Sequence, residues 1–218
     1  MNGNTVCEIV RMDVTPLSDP ALFGLWLSRM PESRKRKVLS MRHAEGQRLR
    51  LGVGILLFQA LQQRGIDPCT ATVAENGQGK LLLPEYPEIH FSLSHSGNWA
   101  LCAICGRPVG CDVERTHRGN ASLARRFFHP EEQAALTAEP EGEGREWLFT
   151  RLWTRKEAYL KADGRGLSLP MESFSALNEG EGVWFDEGPA VGEYAFSACV
   201  QGGEDRPAFR WREASLTE

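Results

Sequence analysis

The apolar positions of the chain fall into short alternating runs and longer helical ones, in an order that repeats. A strand is predicted over about residues 5–13, then a helix in "SDPALFGLWLSRM" with Ser18 or Asp19 as its cap and Pro20 near its start. A short basic stretch, "PESRKRKVL", leads into a long helix over about residues 43–64, which Gly65 ends. "ENGQGK" reads as a glycine-rich turn. "EIHFSLSHSGNWALCAICG" gives two strands around the turn Ser96–Gly97–Asn98, and "RPVGCDVERT" gives a third. Past a loop near 118–120, the pattern predicts helices over 121–137 and 144–162, then strands in "FSALN", "GVWFDEG", "EYAFSACVQ" and "AFRWREA". Helices followed by a meander of strands, twice over, predict an α+β fold of two similar halves, residues 1–109 and 110–218.

Composition narrows the class. An apolar share of 41% and a charged share of 25% are those of an ordinary globular protein. Residues 1–20 hold no basic start followed by an apolar run, so no signal peptide is expected. The longest nearly uncharged apolar run, "LGVGILLFQAL" at 51–61, is far short of the ~18 residues that span a bilayer. The expectation is a cytoplasmic protein with no membrane partner. The net charge of −4 argues against nucleic acid as a partner. Cys102 and Cys105 form a C-x-x-C, but within a strand they point to opposite faces, which suits reduced core cysteines better than a metal site.

Three segments carry candidate chemistry. In "VGCDVE", residues 109–114, Val109, Cys111 and Val113 share one strand face, and Gly110, Asp112 and Glu114 the other. That places two carboxylates about 7 Å apart beside a glycine, either on a solvated edge or as a site for Mg²⁺. In "LWTRKEAYLKADGRG", residues 152–166, Glu157 and Lys161 continue a polar stripe begun by Thr150 and Thr154. Trp147, Leu148, Leu152, Trp153 and Tyr159 cover the rest of that helix, so the stripe is expected to face a cleft. Only five residues of the chain are lysines, and Lys80 stands behind the turn "NGQG". This is no P-loop, because Ala74 replaces its first glycine and Leu81 its Ser or Thr. "SLSHSG" is no nucleophile elbow, and the strand neighbours Ser94 and His95 point apart.

Taken together, "GCDVE", the 45 residues from Asp112 to Glu157, and "W-T-x-K-E-A-x-x-K" resemble the signature of the 4′-phosphopantetheinyl transferases. The resemblance is to the larger, single-chain, two-half class and runs from about residue 30 to 178, taking in "HFSLSHSG", "FFHPEE" and "GRGLSLP". It departs at Ser33, Leu81 and Cys111. It implies two halves related by pseudo-two-fold symmetry, with the active site at their interface. It implies transfer of the phosphopantetheine arm of coenzyme A to a serine of an apo acyl or peptidyl carrier protein, by a monomer. By the same resemblance Asp112, Glu114 and Glu157 hold Mg²⁺ or Mn²⁺. Asp112, Glu157 and Lys161 are the catalytic residues, with Glu157 as base and Lys161 stabilising the leaving bisphosphate. Arg36, Arg48, Lys80, Ser94, His95 and Lys156 hold the coenzyme A, with His95 at its 3′-phosphate.

Two other classes compete. A metal-dependent nuclease also combines acidic pairs with a lysine, but Thr116 stands two residues after Glu114, where such enzymes carry the lysine. A non-catalytic carrier-docking module would leave the carboxylates and lysines idle. For carrier docking, the expectation falls on "RTHRGNASLARRFF", residues 115–128, which has four arginines, no acid and a Phe127–Phe128 end.

Overall fold

The computed structural model of the chain describes residues 5–116 and 121–216, apart from the side chain of Leu167. The loop expected near 118–120 lies outside the described residues. In chain order the elements are β1 (Val6–Asp13), α1 (Pro20–Arg29), α2 (Glu32–Leu39), α3 (Ala44–Gln62), β2 (Ala74–Glu75), β3 (Leu81–Leu82), β4 (His90–Ser96), β5 (Trp99–Cys105), β6 (Val109–Arg115), α4 (Ala121–Phe127), α5 (Pro130–Ala138), α6 (Glu143–Asp163), β7 (Val183–Glu187), β8 (Tyr194–Gln201) and β9 (Ala208–Glu213). The α+β class expected from the pattern is therefore what the chain adopts.

Strand alternation sets up the layers. In β1, Cys7 and Ile9 face one way and Val10 and Met12 the other, and β5 divides in the same manner. Val10, Met12, Ala100 and Cys102 pack under α1 and α3, whereas Cys7, Ile9, Leu101 and Cys105 meet Val109, Cys111 and Val113 of β6 and Phe196 and Ala198 of β8. Two sheets thus stack face to face between helices. One sheet runs β4-β5-β1-β9, the other β6-β8-β7, and β2 and β3 form a separate hairpin. The outer face of the second sheet is covered by α6, through Ala158 and Ala162 against Phe185 and Cys199. Cys102 and Cys105 do lie on opposite faces of β5, and both are free thiols.

Several elements differ from the sequence expectation for identifiable reasons. The basic stretch 32–39 is a helix, α2, with Val38 as its one fully buried residue. The expected helix over 121–137 is two helices. His129 caps the second and shares a capping box with Glu132, while Pro130 occupies its first turn. "FSALN" is not a strand. Its backbone groups are taken by buried side chains, since the Phe174 carbonyl accepts from Lys156 and the Ala176 amide donates to Glu132. The strand "AFRWREA" forms as β9 but pairs parallel with β1, so a division at 109/110 does not separate the two sheets.

Candidate active site

The free edges of β4 and β6 meet where the two sheets abut, and side chains close the seam. The Cys111 amide donates to Ser92 Oγ at 3.1 Å, Ser94 Oγ donates to Asp112 Oδ1 at 2.7 Å, and Ser96 Oγ donates to Glu114 Oε2 at 2.9 Å. The serines at every second position of "HFSLSHS" therefore form a rail along β6. On the other side α6 lies almost on the β6 backbone. A Cβ at Gly110 would overlap the Ala158 carbonyl oxygen, so the glycine is what permits the helix to approach.

That approach brings Glu157 and Lys161 over Asp112. Lys161 Nζ donates to Asp112 Oδ1 at 2.6 Å and to Ser94 Oγ at 3.1 Å. Asp112 is 3% exposed, and its Oδ2 is buried without a hydrogen-bond partner among the described residues. A cleft of ≈ 490 Å³ opens here, and Asp112, Glu114, Glu157, Lys161, Ser94 and His95 all line it. A second hollow of ≈ 250 Å³ continues from it past Leu81, Leu93, Glu157 and Lys161 to Gln78 and Gly79 of the β2–β3 turn.

The electrostatics are those of crowded acids. Burial, and after it the Asp112 charge, push both Glu114 and Glu157 above the usual carboxylate range. Burial acts to lower Lys161, but the Asp112 charge and hydrogen bond outweigh it and hold the ammonium above its ordinary value. Reduced hydration and then the Arg50 charge hold His95 below its ordinary value. Among the described residues, no three His, Cys, Asp or Glu side chains are gathered tightly enough to cage a metal ion. The donor set nevertheless fits a hard divalent cation. It offers three carboxylates in one cleft, one of them with an oxygen that has no partner among the described residues.

The predicted grip residues divide. Ser94 and His95 line the cleft. Arg36 and Arg48 do not; Arg34 and Arg50 take that place. Arg34 reaches the cleft by running its stem across Gly54 of α3, where a Cβ would stand 3.1 Å from its Cδ. Lys156 does not line the cleft. It is 0% exposed and bonded to Glu132 at 2.7 Å and to the Phe174 carbonyl at 2.7 Å, because one step along the helix turns it about 100° away from Glu157. Lys80 borders the smaller hollow, but its ammonium is engaged with the Val109 and Lys161 carbonyls, each at 2.6 Å. Burial, and less so the Lys161 charge, push it down to about 8. The polar stripe of α6 also splits. Thr150 and Thr154 are buried, bonded to the Glu146 carbonyl and to Ser197 Oγ, and only Glu157 and Lys161 reach the cleft.

Comparison with known proteins agrees with this geometry. The family model of the 4′-phosphopantetheinyl transferase superfamily matches residues 108–197, the span that contains β6 and α6. A 4′-phosphopantetheinyl transferase of Bacillus subtilis is 32% identical over 157 residues, 72% of this chain and 70% of the relative. The 4′-phosphopantetheinyl transferase Sfp of Bacillus subtilis strain 168 is 33% identical over 145 residues, 66% of this chain and 64% of the relative. The 4′-phosphopantetheinyl transferase HetI of Nostoc sp. PCC 7120 is 37% identical over 150 residues, 66% of this chain and 63% of the relative. The chain belongs to the 4′-phosphopantetheinyl transferase superfamily, and it is an enzyme of that class. The nuclease and the non-catalytic docking module are thereby set aside. No helix among the described residues is long and apolar enough to cross a membrane.

Proposed function

We propose that the protein moves the 4′-phosphopantetheine arm of coenzyme A onto a serine of an apo acyl or peptidyl carrier protein, releasing adenosine 3′,5′-bisphosphate. One observation carries the reading: Asp112, Glu114, Glu157 and Lys161 share a cleft with Arg34, Arg50 and His95. Acids for a cation and bases for a polyanion are both needed to bind a pyrophosphate and cut it. The two helix-covered sheets are read as pseudo-symmetric halves, with this cleft at their junction, in a monomer that acts in the cytoplasm.

Asp112, Glu114 and Glu157 would hold Mg²⁺ or Mn²⁺, which when bound neutralises charge on the pyrophosphate oxygens. Arg34, Arg50, Ser94 and His95 orient the coenzyme A phosphates. Arg50 and His95 supply donors to the 3′-phosphate. Glu157 takes the proton of the carrier serine, directly or through water. The serine Oγ then bonds to the phosphorus bearing pantetheine, and the bond from that phosphorus to the bridging oxygen breaks. The electron pair leaves with adenosine 3′,5′-bisphosphate, whose charge Lys161 offsets.

Incubating the protein with coenzyme A, Mg²⁺ and an apo carrier should add one phosphopantetheine to the carrier, seen by mass spectrometry, with adenosine 3′,5′-bisphosphate released. EDTA should stop both. Protein that binds coenzyme A yet modifies none of a fatty-acid, a polyketide and a peptidyl apo carrier would overturn the reading.

The carrier is proposed to dock beside α4. Arg125 and Arg126 are exposed there, whereas Phe128 is fully buried in the core. Phe127 is half-buried with its edge on Trp153, ring centroids 5.9 Å apart, and Trp153 lines the cleft. Arg118, also counted in this basic segment, lies outside the described residues. Reversing Arg125 and Arg126 to Glu should raise KM for an acidic carrier roughly ten-fold at low salt, flatten the salt dependence and leave KM for coenzyme A unchanged. Unaltered carrier kinetics would place docking elsewhere.

A further inference from the structure

The β2–β3 turn is not a loop waiting for phosphate; it is fastened to the catalytic elements. Lys80 Nζ donates to the carbonyls of Val109, on β6, and Lys161, on α6. Val109 lies three residues before Asp112, on the edge of β6 that faces away from β8, so its carbonyl has no ladder partner. Lys161 lies one helical turn after Glu157, where the last carbonyls of a helix lack internal donors. Asn76 Nδ2 donates to the carbonyl of Gly164, the residue that caps this helix end, at 3.0 Å, while Asn76 Oδ1 accepts from the amides of Gln78 and Lys80 and so holds the turn in shape. A cation at the carboxyl end of α6 also opposes the helix dipole. Between the two anchored carbonyls, Gly110 lets the backbones of β6 and α6 touch.

We propose that Lys80 is a positioning residue that sets the spacing between Asp112 on β6 and Glu157 on α6, and so tunes metal affinity rather than gripping coenzyme A. The proposal rests on the metal reading given above. Both donated bonds of the ammonium are spent on main-chain oxygens of the two elements that carry the carboxylates. Loss of the clamp frees the helix end to move on the strand, and the carboxylates cease to be held for a shared cation.

The test is Mn²⁺ binding followed by electron paramagnetic resonance at saturating coenzyme A, alongside calorimetric binding of coenzyme A in EDTA. In Lys80→Met, Mn²⁺ affinity should fall ten-fold or more, in the range expected for groups that orient metal ligands, about 10–100-fold. Coenzyme A affinity in EDTA should stay within two-fold of wild type. Lys80→Arg, which keeps two donors, should recover much of the Mn²⁺ affinity. Asn76→Asp, which loses the bond to Gly164 but keeps the turn acceptor, should weaken Mn²⁺ binding in the same direction and provides the test if Lys80→Met does not fold. A merely stabilising lysine would lower Tm and leave Mn²⁺ affinity of the folded protein alone. Mn²⁺ affinity within two-fold of wild type in folded Lys80→Met overturns the clamp while the metal reading stands. Wild-type protein whose Mn²⁺ binding is indifferent to Asp112→Asn overturns the metal reading and the clamp with it.

Discussion

Replacing Asp112 by Asn should lower kcat for transfer on the order of 10³-fold, with the protein still folded. The carboxylate has two separate tasks. Its Oδ1 accepts from Lys161 Nζ at 2.6 Å and from Ser94 Oγ at 2.7 Å, and its Oδ2 is buried with no partner among the described residues. Asn keeps the shape and the Oδ1 acceptor, so the seam between β4, β6 and α6 survives. It removes the negative charge and puts an amide donor where a cation needs an oxygen. Asp112→Ala is the poorer experiment, because it strands the Lys161 ammonium over a hydrophobic gap. Breaking a buried pair in this way costs about 3–5 kcal/mol, and the 29% exposure of the Lys161 side chain puts the expected cost at the low end or below. Activity lost through Ala could then be stability lost. The measurement is kcat against Mg²⁺ concentration, with near-ultraviolet circular dichroism as the fold control. Near-normal turnover by folded Asp112→Asn at saturating Mg²⁺ would remove the residue from the reaction.

What could be read from the sequence depended on whether a residue's role was set by its own neighbours. Asp112 and Glu114 shared a face with Gly110 by strand parity alone, and the apolar character of Val109, Cys111 and Val113 fixed which face met the other sheet. Glu157 and Lys161 followed from helical spacing. The helix phase, however, was fixed one residue too broadly. Thr150 and Thr154 belong to the same stripe by period, yet their hydroxyls can be satisfied by a helix carbonyl and by Ser197, so they could be buried while Glu157 and Lys161 could not. The choice between Arg36 and Arg34, or Arg48 and Arg50, turned on which side of α2 packed on α3 and which side of α3 faced the cleft. Gly54 was the available clue, since a small residue on a buried helix leaves room for a neighbour's side chain to cross. The pairing of β9 with β1 and the irregular path at 174–178 were hidden for another reason. Both depend on partners far away in the sequence, and alternation reports burial, not who supplies it.

The signature lysine Lys156 makes the sharpest test of that limit. Lys156→Met should destabilise the fold by about 3–5 kcal/mol and leave KM for coenzyme A, in the protein that remains folded, within two-fold of wild type. The ammonium and its partner Glu132 are both 0% exposed and 2.7 Å apart. Around them the Phe174 ring lies 4.3 Å from the ammonium, and the Phe174 carbonyl accepts its second bond. Removing the lysine leaves a fully buried carboxylate without its counter-charge. Glu132 cannot simply be removed in turn, because its two oxygens also accept from the amide of His129, which caps α5, and from that of Ala176, which ties the 174–176 segment to α5. Glu132→Gln, added to Lys156→Met, discharges the pair but keeps one acceptor oxygen for one of those amides. The other amide then loses its bond, a residual cost of about 1–3 kcal/mol. The double variant should therefore be more stable than Lys156→Met alone, a coupling that a thermodynamic cycle in urea would measure. A contact with coenzyme A phosphate predicts the opposite pattern, with unchanged stability and a raised KM, and that result would return Lys156 to the cleft.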